Sequence, residues 1–129
     1  MKEFQWSLLC NLKVDVADNA EEMFRALNFI LCDERKLLEA AVEVLDSLQY
    51  IEQFSSGSSS GRHFWKVSGS KGNEYLCLQK FCTCRRYLEL EKNESHESTE
   101  DAFIVCKHLV AIRIAAMIPG KIKETVSYC

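Results

Sequence analysis

Three thiols and one imidazole stand in this sequence at a spacing that suits a metal ion. Cys82 and Cys84 are separated by one residue, and beyond the spacer of residues 85–105 the pair Cys106 and His108 repeats that separation. Four Cys and His side chains complete a closed tetrahedral zinc site with no position left for a substrate. The pattern therefore predicts one structural zinc ion bound by these four residues.

The spacing also constrains the elements that carry the ligands. Residues i and i+2 of an extended chain point to the same face, so Cys82 and Cys84 suit the end of a strand. In an α-helix the same spacing is a rotation of about 200°, which would direct Cys106 and His108 apart. We therefore predict that Cys106 lies at or just before a helix start and that His108 lies in the first turn.

The ligand pattern resembles the SWIM-type zinc finger, in which CxC is followed by a variable spacer and then CxH. The apolar run at residues 109–112 is similar to that family. The stretch from 55 to 117 is similar to the small SWIM-domain subunit of Shu homologous-recombination complexes. The chain departs from relatives at Arg85 and Arg86, where they often carry proline, and its spacer is unusually acidic.

The resemblance implies a role in DNA repair. Shu-type SWIM proteins work bound to a RecA-like recombinase paralogue, and the assembly promotes loading or stability of the recombinase filament on single-stranded DNA. By this resemblance we expect a zinc-stabilised nuclear subunit that acts on the filament indirectly and contacts single-stranded DNA through the complex. We expect no membrane association.

No catalytic motif accompanies the four ligands. The sequence lacks HExxH, the deaminase pair HxE and CxxC, and the phosphate-binding GxxxxGK[ST]. A catalytic zinc keeps an open position for water, whereas four protein ligands fill the tetrahedron. The sequence therefore favours a protein that is not an enzyme.

Length and composition indicate one globular domain in a reducing compartment. The chain has 129 residues, of which 47% are hydrophobic, and it carries seven cysteines and no recognisable signal peptide. Its net charge of −3 gives no general attraction to phosphate, so we do not expect strong DNA binding by the isolated chain. We interpret residues 1–129 as a single domain, with a helical region at 1–47 and a SWIM-type finger region at 48–120.

The periodicity predicts an α+β fold: N-terminal helices, a small antiparallel three-stranded sheet and a C-terminal helix, joined by the zinc site. A helix-like rhythm at residues 3–14 precedes two helices for which Asp18 and Asp33 are the N-cap candidates. Residues 48–54 suit either a strand or an extension of the third helix, and the turn that follows favours the strand. Two further strands, at 63–67 and 74–80, complete an antiparallel meander.

Beyond the meander, residues 85–101 form an acidic segment that we expect to be solvated, with a short helix at 86–91. The helix at 107–118 is apolar almost all round, so it is either sandwiched in the core or presents a face to a partner. The tail after residue 120 gives no clear signal.

Two kinds of binding surface remain open. A protein interface could lie around Phe24, Leu27 and Leu31 or along residues 109–118, although packing within the core explains these residues equally well. A direct single-stranded nucleic-acid interface is the alternative, with stacking on aromatic rings and a basic patch. Its candidate residues are Phe64, Trp65, Lys66, Lys71, Lys80, Arg85, Arg86 and Lys107.

The remaining cysteines and histidines have plainer interpretations. Cys77 is the main rival ligand, yet its place in an apolar strand favours a core residue. The other such residues are expected to be core or surface side chains without chemistry: Cys10, Cys32, Cys129, His63 and His96.

Overall fold

The computed structural model describes residues 1–12, 16–56, 63–69, 72–78, 81–93 and 105–127. In these residues the α+β fold is confirmed, and the elements are α1 (Glu3–Asn11), α2 (Val16–Ile30), α3 (Arg35–Ser47), β1 (Ile51–Ser56), β2 (His63–Ser68), β3 (Glu74–Leu78), β4 (Phe81–Cys82), α4 (Arg85–Asn93), α5 (Lys107–Ala115) and β5 (Ile122–Ser127). None of the described helices has both the length and the apolar character needed to cross a membrane.

The strands form one mixed sheet in the order β4-β3-β2-β1-β5. From β1 to β4 each strand pairs antiparallel with the next, which confirms the predicted meander. The fifth strand pairs in parallel with β1, from Ile51 opposite Ile122 to Ser56 opposite Ser127. The sheet therefore has two strands more than the three predicted, because β4 is separate from β3 and the tail adds β5.

The turn that brings the tail back to β1 depends on a glycine. Gly120 has φ +79°, a conformation that glycine adopts readily because it lacks a Cβ. The next residue, Lys121, joins the two segments: its carbonyl accepts a 2.7 Å hydrogen bond from the backbone N–H of Ile51, and its Nζ donates to the carbonyl of Leu48. These contacts set the register in which β5 begins.

Helix α5 is the centre of the core. Seven of its side chains are buried, including that of His108. The helix packs on α3 and also against the sheet, where the ring of Tyr75 lies 4.6 Å from the ring of His108. The apolar helix is thus sandwiched in the core, which is the first of the two alternatives that its sequence leaves open.

Arg113 connects α5 to two other elements. Its guanidinium lies 5.5 Å from the ring of Trp6 on α1 and 5.3 Å from the ring of Trp65 on β2. A cation between two indole faces is attracted by both. The Nε1 of Trp65 also donates a 2.9 Å hydrogen bond to Gln53 on β1, so this part of the core links the first helix to the sheet.

Both predicted helix caps are wrong, although both helices exist. The buried side chain of Gln5 donates through Nε2 to the carbonyl of Ile30 at 3.1 Å and to Oδ1 of Asp33 at 2.6 Å. Asp33 therefore binds α1 instead of capping α3, whose N-cap is Glu34. Helix α2 begins at Val16, which places Asp18 inside the helix.

The first part of the acidic spacer forms α4, where the sequence predicts a short helix at 86–91. Residues 94–104, with His96, lie outside the described residues, as do Lys71, Lys80 and Cys129.

Candidate metal centre

The four predicted ligands come together where β4 meets the start of α5. The ligand atoms of Cys82, Cys84, Cys106 and His108 all lie within 4.8 Å of one another. The sulfurs of Cys82 and Cys106 are 3.8 Å and 3.9 Å from Nδ1 of His108. Ideal Zn–S and Zn–N bonds at tetrahedral angles separate the sulfur and nitrogen by about 3.5 Å. The cluster therefore fits a four-coordinate ion of the size of zinc.

A tight turn positions the first two thiols. Cys82 ends β4, and Cys84 lies in the short connection to α4 rather than on a continuous strand as the sequence predicts. The backbone N–H of Cys84 donates to the sulfur of Cys82 at 3.4 Å, and the N–H of Tyr87 donates to the sulfur of Cys84 at 3.3 Å. Such outer contacts orient metal ligands and stabilise thiolate charge.

The second pair of ligands has the predicted placement. Cys106 is the N-cap of α5, with extended backbone at φ −102° and ψ 170°, and His108 lies in the first turn. The change from extended to helical backbone between these residues directs both side chains to the same place. The ring of Tyr75 packs on the imidazole and limits the orientations that His108 can adopt.

The buried thiols shift one another's pKa values in opposite directions. Hydrogen bonds with Cys106 and Cys82 lower the pKa of Cys84, whereas those with Cys82 and Cys84, together with burial, raise the pKa of Cys106. Without metal, a charged Cys84 is thus stabilised by neighbours that keep their protons. A bound divalent cation would replace those protons, so metal binding should weaken as pH falls.

Cys77 lies against the cluster without belonging to it. It is fully buried on β3 directly opposite Cys82, and its thiol donates to the sulfur of Cys82 at 3.4 Å. Within the described residues the cluster of mutually close ligand atoms does not include it. The interpretation of Cys77 as a strand core residue is therefore favoured, with a contact to one ligand that the sequence did not predict.

Sequence reasoning also missed Tyr75, which packs on the imidazole. One signal could have identified it: Tyr75 lies two residues before Cys77 on β3, so strand alternation places both side chains on the same, inner face of the sheet. Of the other cysteines in the described residues, Cys10 is half-buried and Cys32 is exposed, and neither joins the cluster.

Comparison with known proteins gives one informative match. No protein-family model and no solved structure matches the chain. The chain is 28% identical over 118 residues to "Zinc finger SWIM domain-containing protein 7" of Mus musculus, in an alignment that covers 86% of this chain and 68% of the mouse protein. The chain is similar to a SWIM-type zinc finger protein. The resemblance to SWIM-type zinc finger proteins is thereby confirmed, and an alignment over 86% of the chain extends into the N-terminal helices.

Proposed function

We propose that the chain is a zinc-binding, non-enzymatic SWIM subunit of a Shu-type recombination-mediator complex. The closed cluster carries the first part of this proposal, since none of its four side chains is more than 6% exposed. A buried site filled by four protein ligands has no open position for water or substrate, so the ion would be structural. It would fasten β4 and the turn after it to the start of α5.

The partner would be a RecA-like recombinase paralogue, and the complex would act on the recombinase filament in the nucleus. The sequence resemblance to Shu-type SWIM subunits supports this partner. Exposed apolar side chains support an interface on the N-terminal helices: Phe29 is 80% exposed, and Phe4, Leu8 and Phe24 are exposed as well. Leu27, Leu31 and the apolar residues of helix α5 are buried, so the contact would use the outer surfaces of α1 and α2.

Co-expression with the RecA-like paralogues of the same organism tests the proposal. We expect one of them to co-elute with the chain as a stable complex that increases recombinase assembly on single-stranded DNA. Phe29→Glu should weaken that complex, whereas Leu88→Glu, at an exposed leucine on α4, serves as a matched control. Recovery of the chain as a soluble monomer with every paralogue would contradict the proposal.

Direct binding of single-stranded nucleic acid is the second candidate. One observation favours it: Arg85, Arg86 and Lys107 line the same cavity. Its stacking residues are less suitable, because Trp65 is only 7% exposed and Phe64 already stacks on Phe54 with ring centroids 4.9 Å apart.

A salt series distinguishes the two candidates. The isolated chain would be titrated with an oligothymidylate at several salt concentrations. Binding whose affinity falls steeply with salt would favour direct recognition of phosphates, and weak binding at all salt concentrations would favour the subunit.

A further inference from the structure

A cavity of about 640 Å³ lies beside the metal centre, and basic side chains surround it. The wall near the metal is formed by Cys84, Cys106 and His108. Among the described residues, the remaining lining includes one acidic residue, Glu34, and four basic ones: Lys36 from α3, Arg85 and Arg86 from α4, and Lys107 from α5.

Three of these cations have no acidic partner in the part of the chain that the structure describes. Among the residues that the structure describes, no carboxylate lies within 4.0 Å of Lys36, Arg86 or Lys107, and all three side chains are exposed. Arg85 differs, since it pairs with Glu89 at 3.0 Å. Three thiolates around a zinc ion would add one net negative charge. The three positive charges of Lys36, Arg86 and Lys107 exceed it. Among the described residues that line the cavity, positive charges therefore outnumber negative ones, in a chain whose net charge is −3.

Part of the cavity lining is apolar. Leu37 and Ala40 on α3 belong to this part, as does Val105 just ahead of α5. The aromatic ring in the lining, that of Tyr75, packs against His108 and is not free to stack on a base. A nucleic-acid strand would satisfy the cations but leave these apolar side chains uncovered, whereas a peptide can offer an apolar side chain and carboxylates together.

We propose that this cavity binds a short acidic segment of a partner protein. An apolar side chain of the segment lies on Leu37, Ala40 and Val105, and its carboxylates pair with Arg86, Lys107 and Lys36. Arginine suits this task because its planar guanidinium can bind a carboxylate through two parallel hydrogen bonds. The inference goes beyond the proposed function, since it concerns the chemistry of the bound segment whether or not the partner is RecA-like.

Fluorescence anisotropy with a labelled peptide of sequence EELEE tests the inference on the zinc-loaded full chain. We expect saturable one-to-one binding, and roughly tenfold weaker binding of the uncharged peptide QQLQQ, since close charge pairs across an interface contribute a kcal/mol or more. Lys36→Glu should weaken the binding of EELEE about tenfold as well. Lys36 is remote in sequence from the four ligands, and the zinc content of each variant shows that the fold is retained.

Lys123→Glu is the matched control, because it changes the net charge by the same amount at an exposed position on β5. It should leave the affinity for EELEE unchanged. The inference is overturned if EELEE shows no saturable binding, if QQLQQ binds equally well, or if both lysine variants lose affinity equally. Tighter binding of an oligothymidylate of the same charge, abolished by Lys36→Glu, would assign the cavity to nucleic acid instead. These binding measurements on the isolated chain do not depend on which paralogue co-elutes with it.

Discussion

Three of the four ligand side chains in the candidate metal centre, those of Cys82, Cys84 and His108, are held by contacts of their own. The sulfur of Cys84 accepts the N–H of Tyr87, that of Cys82 accepts the N–H of Cys84 and the thiol of Cys77, and Tyr75 packs on His108. Ligands held in this way need little rearrangement when the ion binds. These contacts do not compensate for the placement of three buried thiols close together, and a bound metal ion would do so.

We expect Cys84→Ser to abolish stable zinc binding and to unfold the finger. Structural zinc sites in small fingers contribute roughly 10–16 kcal/mol of apparent binding free energy, which matches or exceeds the stability of about 5–15 kcal/mol of a whole domain. Metal analysis and thermal unfolding followed by circular dichroism measure both effects, and His108→Ala should behave alike. Cys32→Ser, at an exposed cysteine, should keep one zinc per chain and the wild-type melting temperature. Full thermal stability of Cys84→Ser, with no zinc in the wild type, would refute the metal centre.

Cys77→Ala should keep one zinc per chain. Because Cys77 is buried and contacts Cys82, the loss of its sulfur should reduce the unfolding free energy by about 1 kcal/mol without changing the coordination number. Zinc stoichiometry and a denaturant titration of the same sample test this. A variant that binds no zinc would make Cys77 a ligand after all.

At the scale of elements, a strand or helix cap could be predicted from the sequence where the residues that stabilise it lie close to it in the chain. Strands β1 to β3 could be predicted because turn residues bound each apolar run. β5 could not, since IKETVS has no strong apolar pattern and its partner β1 lies about 70 residues earlier. Distance in sequence also explains the wrong cap at Asp33, whose carboxylate accepts a hydrogen bond from Gln5 on α1. The ligands of the metal centre could be predicted because their residue types and spacing are visible in the sequence. The place of Lys36 beside the cavity could not, because it depends on how α3 packs.

The turn between α5 and β5 gives a test at this scale. Gly120→Ala should lower the unfolding free energy by about 1 kcal/mol, since a side chain disfavours positive φ. The space around Gly120 is open, with nothing within 4 Å of an added Cβ, so the backbone alone accounts for the loss. Urea titrations should show a smaller loss for Gly120→Asn, because asparagine tolerates this conformation better. Equal stability of the alanine variant and the wild type would contradict the turn described here.

At the scale of the whole molecule, one continuous cluster of buried side chains runs from α1 to α5. Helix α5 is central to it, since it carries His108 to the metal centre and Arg113 to Trp6 and Trp65. Loss of the metal should therefore affect the N-terminal helices as well as the finger, although none of the described residues of these helices belongs to the cluster.

We expect removal of zinc by a chelator to unfold residues 1–47 and the finger region in one transition. Hydrogen exchange read by mass spectrometry would follow each region, and tryptophan fluorescence would follow the contacts of Trp6 and Trp65. Zinc added back should restore protection, and magnesium, which prefers oxygen ligands, should not. Protection that persists in residues 1–47 after chelation would show two independent units and refute the single-domain interpretation.

The parallel pairing of β1 with β5 also affects how the protein is made. A ribosome adds about 5–20 residues per second, so β5 emerges several seconds after β1, from which it is separated by about 70 residues. Until then β2 can cover one side of β1 while the other side presents unpaired backbone groups, which readily capture strands of other chains. Chaperones that shield nascent chains should therefore matter more for this protein than its small size implies, and slow translation of the final segment should lower its yield.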